Sequence, residues 1–534
     1  YYYKKTKFES MKCLTVIFCC SKINHEKLDK HYRFFIILFP TGPNGWSSDL
    51  TGPMRMILGR KNIRLKYFFS PLKEHKILLS LQEAVMLKTS LIKKMKDNLG
   101  IDISSILLPV KEIDMQKWSV VACDQYTSEP EYWKDVESFV GESPSTLRLI
   151  FPEAYLEIET EDEKAARISK INESMTTYLN NNLLCEYKDS MILVERTFNS
   201  GAKRHGLMMA LDLERYDYNK GSQSLIRATE GTIVDRLPPR IRIRENAQLE
   251  LPHIMVLIDD AERTVIEPLI EKTATLNQLY SFDLMKQSGS IKGWQINQED
   301  LIENVANALL KLADKENFKS RYNVNDDYGV LLFAVGDGNH SLATAKACWE
   351  KIKKSVKEDE LKDHPARYAL VEIVNVHDSG LVFEPIHRVV FNSNPRHLLD
   401  SFIAYYRNRG CNAGITYGTE KPDVSGHAIK FITEEGYGYI TVECPLYNLD
   451  VGTLQSFLDD YIKNNKQVSI DYVHGEEITE KLGKQPGNIG FFLSNIDKNE
   501  LFKTVILDGA LPRKTFSMGE ASEKRFYLEA RRIK

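Results

Sequence analysis

The sequence has no CxxC pair, no apolar run long enough to span a bilayer and no surplus of basic residues. Without a CxxC pair, a structural zinc site of the usual spacing is not expected. A transmembrane helix needs about 20 apolar residues, and the run Phe34–Phe39 is far shorter. The formal net charge is −3, which favours neither nucleic acid nor a membrane surface as a partner.

Cysteines are few and mostly isolated. Of the eight in the chain, those that follow Lys94 are Cys123, Cys185, Cys348, Cys411 and Cys444. Single cysteines in a chain of this size are typically small buried residues of proteins kept in a reducing compartment. The pattern therefore predicts a cytoplasmic protein.

Residues 1–94 differ in composition from the rest. They contain 18 Lys or Arg against 6 Asp or Glu, whereas the remainder has a formal charge of −15. No sustained helical or strand period runs between Phe8 and Tyr67. We therefore expect residues 1–94 to be a non-native or disordered extension, and residues 95–534 to form one domain. The charged stretch 351–367 is either a boundary between two lobes or a solvated helix.

Helical and strand patterns interleave irregularly beyond Lys94, which predicts a mixed α+β or α/β fold. A capping box, Thr160 with Glu163, begins one amphipathic helix, and residues 297–315 have the period of another. The strand candidates are short apolar runs rich in branched residues: "MILVER", "GLMMALDL", "IMVLIDD", "GVLLFAV", "ALVEIVN", "YITVE", "IGFFL" and "TVIL".

The stretch "FAVGDGNHSLATAK" concentrates small and polar residues between two apolar elements. We expect a buried strand at Val330–Val335, a tight turn at Gly336, Asp337 and Gly338, and a helix from Leu342 onward. Asn339 or Ser341 is expected to cap that helix. The stretch is not a P-loop, because no GK[ST] follows. It is not a complete dinucleotide fingerprint either, because Ser341 occupies the place of the third glycine.

A strand, a glycine turn and a helix together can form a pocket for an anion. Glycines allow positive φ and close approach of a ligand, and the free N–H groups of a helix start attract negative charge. Gly336–Ser341 is thus a candidate site for a phosphate or nucleotide, with Asp337 as a Mg²⁺ ligand and His340 as a proton acceptor. The competing interpretation is an ordinary strand–helix turn with a capped helix.

Further polar residues stand at the ends of other apolar runs, and we expect several of these groups to converge on one cleft. Each alone is more typical of a satisfied structural group. Arg242 and Arg244 alternate as on the solvent face of a strand. The site candidates are Asp124 and Gln125, Glu230 and Arg236, His387 and Arg388, Asp471, His474 and Glu476, and Lys514.

Several long motifs resemble the domain-of-unknown-function 1015 family of bacteria and archaea, over about Leu99 to Ile533. The motifs are "LLPVKEIDMQKWSVVACDQYTSEPEYW", "ATEGTIVDRLPPRIRIRENAQLELPHIMVLIDD", "VGDGNHSLATAK", "DYVHGEE" and "LPRKTFSMGEASEKRFYLEARRI". Many relatives carry a DGHHR-type turn that is similar to the turn of ParB-like nucleotide-binding domains and free-serine kinases. The resemblance implies a distantly ParB-like core with phosphates held at Asp337–Ser341. Ser341 replaces the arginine of that turn, so Arg236, Arg388 or Lys514 would have to supply the positive charge.

Two functions are compatible with these features. The first is a small-molecule enzyme, a phosphotransferase or a hydrolase, acting on a phosphorylated ligand or nucleotide. Glu230 or His340 would be its general base, while Arg236 and Lys514 would offset negative charge. The second is a nucleotide-responsive, ParB-like binding protein without turnover. No helix-turn-helix or basic patch is evident after Lys94, and this favours the enzyme.

Overall fold

The computed structural model describes residues 13–18, 35–40, 56–58, 61–63, 90–103 and 105–534. The chain divides into two compact units, Tyr1–Leu87 and Lys88–Lys534. In the first unit, four strands pair antiparallel in chain order. They are β1 (Cys13–Phe18), β2 (Phe35–Pro40), β3 (Met56–Leu58) and β4 (Lys61–Ile63). This sheet lies within the segment that the sequence predicts to be an extension.

A ten-stranded mixed sheet forms the centre of the second unit. Its strands are β5 (Ile101–Asp102), β8 (Met191–Thr197), β9 (Lys203–Asp212), β10 (Tyr216–Asp217), β11 (Ile226–Ala228), β13 (Met255–Ile258), β14 (Asn277–Asp283), β15 (Ser290–Ile296), β16 (Phe333–Asp337) and β17 (Tyr368–Asn375). The order is β10-β11-β16-β13-β17-β9-β8-β15-β14, with β5 beside β9. Strands β10, β11 and β16 are parallel, whereas β13 runs antiparallel to β16.

Helices cover both faces of this sheet. They are α1 (90–99), α2 (Met115–Trp118), α3 (Pro130–Val140), α4 (Glu161–Asn180), α5 (Leu237–Arg244), α6 (Glu267–Ile270), α7 (Glu299–Leu312), α8 (Lys315–Tyr322) and α9 (Asn339–Ile352). Strand β8 shows why both faces are buried: Met191 and Leu193 join one core cluster, and Ile192 joins another. Alternating side chains point to opposite faces of a sheet, so the apolar first half of β8 requires cover on each face.

A seven-stranded sheet follows in the chain. Its strands are β18 (Phe383–Phe391), β19 (Asn412–Tyr417), β20 (Gly426–Thr433), β21 (Gly436–Glu443), β22 (Ser469–His474), β23 (Ile489–Phe492) and β24 (Phe516–Met518). The later helices are α10 (Pro395–Arg407), α11 (Asp450–Asn464), α12 (Glu476–Gly483) and α13 (Lys498–Asp508). Two strand pairs complete the unit: β6 (Ile106–Pro109) with β7 (Leu184–Tyr187), and β12 (Leu249–Glu250) with β25 (Arg531–Arg532).

The prediction of a mixed α/β fold is confirmed, as is the capping box of α4, in which Thr160 and Glu163 bond reciprocally. The segment that connects the ten-stranded sheet to the seven-stranded sheet is residues 376–382, which come later in the chain than the predicted boundary at 351–367. Within 351–367 the chain forms turns and a short 3₁₀ segment after α9 ends. The start of the second unit also differs, since α1 spans the predicted boundary at residue 94 and buries Met95 and Leu99 in the core.

Two secondary-structure predictions are wrong. The run "TVIL" belongs to helix α13, not to a strand. Asp497 caps that helix, and Leu501, Phe502 and Val505 form its buried face. A short apolar run fits a buried helix as well as a strand. Arg242 and Arg244 lie on helix α5 rather than on a strand, and each bonds a glutamate.

Among the residues that the structure describes, no helix has both the length and the apolar character needed to cross a membrane.

Candidate functional site

The site candidates Glu230 and Asp337 meet at the ends of two adjacent parallel strands. Ala228, the last residue of β11, pairs with Val335 of β16, so Glu230 follows the end of β11 by two residues while Asp337 ends β16. The charge of Asp337 acts on Glu230. Both residues are half-buried. Carboxyl ends of parallel strands are where open α/β sheets usually bind ligands. The structure therefore brings two separately predicted candidates to one edge of the sheet.

The turn between β16 and α9 is shorter than predicted. Gly336 and Asp337 are the last residues of the strand, and Gly338 alone turns the chain, with φ of 77°. A Cβ on Gly338 would lie 3.0 Å from Cα of Ile254, and one on Gly336 would lie 2.9 Å from Cγ of Leu257. Both glycines thus allow close packing of the protein on itself, and the approach of a ligand to them stays a prediction.

Neither predicted cap residue caps helix α9. Gly338 is the N-cap and supplies no side-chain bond. Asn339 donates its amide to the carbonyl of Val335 at 3.3 Å, and Ser341 Oγ lies 3.0 Å from Nε2 of His253. Within the described part of the chain, the N–H groups of residues 339–341 therefore have no capping acceptor. A helix start of this kind attracts negative charge.

Two lysines from the C-terminal segment bring positive charge to the two carboxylates. Lys524 Nζ lies 3.1 Å from Oδ2 of Asp337, while exposed Lys514 acts on Glu230 through its charge. Burial raises the pKa of Glu230, and the charge of Asp337 raises it further. Lys514, Arg388 and Lys524 oppose this rise, so that the pKa settles at about 7.

A buried ionic cluster holds the segment that carries Lys524. The next residue, Arg525, is 4% exposed and pairs with Glu372 of β17 and with Glu529. Tyr280 donates its hydroxyl to the other oxygen of Glu529 at 2.5 Å. Removing one partner of a buried ion pair strongly destabilises a protein, because the other charge is left buried without compensation. Because these ion pairs anchor Arg525 to β17, they also hold the neighbouring Lys524 beside Asp337.

His340, the predicted proton acceptor, lies at the start of α9. Its Nε2 accepts the N–H of Ile233 at 3.4 Å. Burial lowers the pKa of His340 to about 4, and the charges of Arg240 and Arg236 add to the effect. Arg236 is exposed, whereas Arg240 pairs with Glu153 at 2.5 Å. His340 is therefore neutral at physiological pH, with its lone pair directed at the backbone.

Asp124 and Gln125 join the site from the loop after α2. Gln125 donates its amide to Oδ1 of Asp124 at 2.9 Å, and Oδ2 of Asp124 lies 3.7 Å from Nε2 of His253. Burial alone would raise the pKa of Asp124, but His253, Gln125 and Lys524 together hold it below its usual range. Asp124 and Asp337 are thus linked to one another through the charge of Lys524.

The remaining site candidates lie on β18, on β22 and at the start of α12. Arg388 is fully buried, bonds Gln455 at 2.9 Å and stacks on Tyr472, so it reaches Glu230 only through its charge. His387 is also buried and accepts the N–H of Leu493 at 3.1 Å. Neighbouring residues of a strand face opposite ways, so His387 points away from Arg388. The exposed residues Asp471, His474 and Glu476 lie at β22 and the start of α12.

Sequence reasoning missed three residues of this site, namely Arg240, His253 and Lys524. His253 bonds Ser341 across 88 positions, and Lys524 pairs with Asp337 across 187. The only local signal for His253 is its place after a proline and before a buried strand. Nothing in the spacing of the charged segment around Lys524 indicates its partner.

The described residues contain no group of three or more His, Cys, Asp or Glu side chains that could hold a metal ion. The predicted Mg²⁺ ligand Asp337 instead bonds Lys524 and the N–H of Gly338.

A protein-family model matches most of the chain. The model of the family described as protein of unknown function (DUF1015) matches residues 107–461, about two thirds of the sequence. The chain belongs to this family. The resemblance noted from its motifs is thereby confirmed. No curated protein matches the sequence.

Solved structures resemble the DUF1015 chain only distantly. A free serine kinase in complex with AMP is 8% identical, with a TM-score of 0.32 over 61% of this chain and 92% of its own. A conserved hypothetical protein from Pyrococcus furiosus is 10% identical, with a TM-score of 0.30 over 61% of this chain and 95% of its own. A C-terminally truncated SbnI from Staphylococcus aureus is 10% identical, with a TM-score of 0.30 over 58% and 83%.

Proposed function

We propose that this protein is a small-molecule enzyme that binds a phosphorylated ligand or nucleotide at the ends of β11 and β16. Its reaction would be phosphoryl transfer or hydrolysis of a phosphate ester. The observation that carries the proposal is the setting of Glu230, a half-buried carboxyl with a pKa of about 7 between Asp337 and two lysines. Perturbed carboxyls of this kind are typical of catalytic sites.

Glu230 is a better general base than His340. A base is most effective when its pKa lies near the working pH, and that condition is met by Glu230 at about 7 and not by His340 at about 4. Moreover, Nε2 of His340 already accepts a backbone N–H. Glu230 would take a proton from the attacking hydroxyl or water, and His340 would position the loop that contains Ile233.

Positive groups around Glu230 suit a phosphate. Lys514 is exposed, and Lys524 has Asp337 as its ion-pair partner. The N–H groups of residues 339–341 face the same edge of the sheet. Exposed Arg236 adds charge from the neighbouring loop. Such fixed positive groups stabilise the charge that develops on a transferring phosphoryl group.

Mg²⁺ fits this site only in company with a ligand. Mg²⁺ is usually bound by one or two carboxylates together with substrate phosphates, and the carboxylate offered here is Asp337. When bound, the ion would neutralise phosphate charge. Since Lys524 neutralises Asp337 in the absence of a ligand, we expect Mg²⁺ to raise ligand affinity without binding tightly alone.

A thermal-shift screen of the full chain tests the proposal. ATP, ADP, AMP and inorganic phosphate would each be added with and without Mg²⁺, and the ligands that raise the melting temperature would be assayed for turnover by phosphorus NMR with small hydroxyl-bearing acceptors. We expect Glu230→Gln to abolish turnover while binding persists. Glu434→Gln, in the exposed turn between β20 and β21, is the matched control and should behave as the wild type.

The outcomes separate the two candidate functions. Turnover that depends on Glu230 supports the enzyme. Binding without turnover by the wild type would favour the nucleotide-responsive binding protein instead. If none of the four compounds raises the melting temperature, the proposed phosphate site is wrong.

A further inference from the structure

Two free cysteines lie next to each other where strands β19 and β21 stop pairing. In this antiparallel pair, Asn412 is opposite Glu443 at the last register position. Cys411 comes directly before Asn412, and Cys444 comes directly after Glu443. The Sγ atom of Cys411 lies 3.5 Å from the carbonyl oxygen of Cys444. The two residues are therefore neighbours in the fold, although they are 33 positions apart in the chain.

The spacing of these two residues favours a disulfide between them. Cysteines can be joined without movement of the backbone when their Cα atoms lie about 4.4–6.8 Å apart. Residues opposite each other on antiparallel strands have Cα atoms about 4.5 or 5.5 Å apart, and the cysteines flank such a pair. Because a carbonyl oxygen is about 2.4 Å from the Cα of its own residue, Cα of Cys444 lies within about 6 Å of Sγ of Cys411.

The two thiols differ in their access to solvent. Cys444 is exposed, whereas Cys411 is 6% exposed and belongs to the apolar core of the second sheet. Oxidation of a cysteine pair by peroxide begins at an exposed thiol and is completed by a neighbouring, resolving thiol. Cys444 has the access that the first step needs, and Cys411 has the position that the second step needs.

The backbone of Cys444 is a further observation in favour of a function for this residue. Its φ of 51° lies in the left-handed region, which glycine or asparagine adopts far more readily than cysteine. The conformation of the turn therefore does not account for a cysteine at this position. Residues held in such a conformation cluster at functional sites.

We propose that Cys444 and Cys411 are a peroxide-responsive thiol pair that forms a reversible disulfide. The Cys444 thiolate attacks one oxygen of hydrogen peroxide, the O–O bond breaks, and a sulfenic acid and water are formed. The Cys411 thiolate then attacks the sulfur of Cys444, the S–O bond breaks, and the leaving hydroxide takes up a proton. In total, two thiols lose two electrons and two protons, and one peroxide is reduced to two molecules of water.

The disulfide would tie the edge of the seven-stranded sheet to its neighbour. Strand β19 stands first in the order of that sheet and pairs with β21. A cross-link there closes the loop 411–444, which restricts the unfolded chain and so stabilises the folded one. The proposal involves neither β11 nor β16, and it is therefore tested independently of the proposed function.

Peptide mapping of the full chain after oxidation tests the thiol pair. Hydrogen peroxide would be added to the reduced protein in steps until the exposed Cys185 is oxidised. The remaining thiols would then be alkylated and the chain digested with trypsin, which separates the two cysteines by cleavage after Lys430. We expect a cross-linked peptide that contains Cys411 and Cys444 and that dithiothreitol removes. The oxidised chain should also melt at a higher temperature than the reduced chain.

Variants assign the two roles. In Cys411→Ala the exposed thiol lacks its resolving partner, so a sulfenic acid should accumulate on Cys444 and react with dimedone. In Cys444→Ser, Cys411 should stay reduced because it is buried. Cys185→Ser, which removes an exposed cysteine of β7, is the matched control and should form the same cross-link as the wild type.

Two results for the wild type would overturn the proposal. One is the recovery of Cys411 and Cys444 as alkylated thiols once Cys185 has been oxidised, since peroxide would then have reached exposed thiols without joining the pair. The other is a cross-link from Cys444 to a cysteine other than Cys411. Both results are read from the wild type, so the test does not depend on the folding of a variant.

Discussion

Glu230 and Asp337 lie at the ends of adjacent parallel strands, and the charge of Asp337 helps to hold the pKa of Glu230 near 7. Two carboxyls that act on each other through their charges do not ionise independently. Lys524 bonds Asp337, while Glu230, with its pKa of about 7, can accept or release a proton at neutral pH.

Glu230 should make stability depend on pH. Its pKa rises from an ordinary value of 4.5 to about 7 on folding, so the folded chain binds more protons than the unfolded chain between these values. The contribution of Glu230 to the free energy of unfolding should therefore fall by roughly 1–3 kcal/mol as pH rises through this window. Chemical denaturation of the wild type and of Glu230→Gln at pH 5 and pH 8 measures the effect.

The difference between those two proteins isolates Glu230 from other titrating groups. Glu230→Gln keeps the shape of the neutral carboxyl. Its free energy of unfolding should therefore increase relative to that of the wild type as pH rises. A difference between the two proteins that does not change with pH would show that Glu230 has an ordinary pKa.

Asp337→Asn should lower the pKa of Glu230, because it removes a neighbouring negative charge. The asparagine oxygen can still accept the N–H of Gly338, and the lost ion pair with Lys524 is partly exposed. Stability at neutral pH should thus change by no more than about 1 kcal/mol. The pH dependence described for Glu230 should shift to lower pH, and the part of ADP binding that requires Mg²⁺ should weaken about tenfold. Lowered stability with unchanged ligand binding would mean that Asp337 serves only the fold.

Gly338→Ala should destabilise the fold for two reasons. An alanine at φ of 77° is strained by about 1–2 kcal/mol, and its Cβ would press on Ile254 at 3.0 Å. Gly201 has φ of 82° with open space around it, so Gly201→Ala reports the strain alone. We expect a larger loss of melting temperature in Gly338→Ala than in Gly201→Ala. Equal losses of melting temperature in the two variants would mean that Ile254 moves aside without a loss of stability.

Local patterns in the sequence predicted the elements of the site, whereas its long-range partners could not be predicted. The turn before α9 was recognised because glycine, aspartate and asparagine mark turns by their own chemistry. Leu342, Ala345 and Trp349 were correctly assigned to the buried face of the helix because helical period is a local property.

The cap of α9 was mistaken because Ser341 had a better partner, His253, that only the tertiary structure supplies. Lys524 was missed for the same reason, since the buried pairs of Arg525 determine where it lies. The convergence of Asp124, Glu230 and Asp337 was expected from their places at the ends of apolar runs. His387 and His474 shared that feature without sharing the position, because the end of a run does not say which sheet the run joins.

Residues 1–87 should be dispensable for the stability of the second unit, whereas α1 should not be. A chain that begins at Lys88 keeps Met95 and Leu99 in the core and should melt at the temperature of the full chain. A chain that begins at Gly100 loses both side chains and should be less stable by several kcal/mol, about 2–5 for each large apolar residue removed. A large drop in melting temperature for the first chain would contradict the proposed extension.

The most direct test of the phosphate site is the calorimetric titration of the full chain with ADP in the presence of Mg²⁺. Saturable binding is expected for the wild type. In a variant with both Lys514→Met and Lys524→Met the affinity should fall at least about tenfold, because two positive charges near the phosphates are lost. Lys466→Met, an exposed lysine after α11, should leave it unchanged. Failure of the wild type to bind, or equal affinity in the double variant and the wild type, would contradict a phosphate site at the ends of β11 and β16.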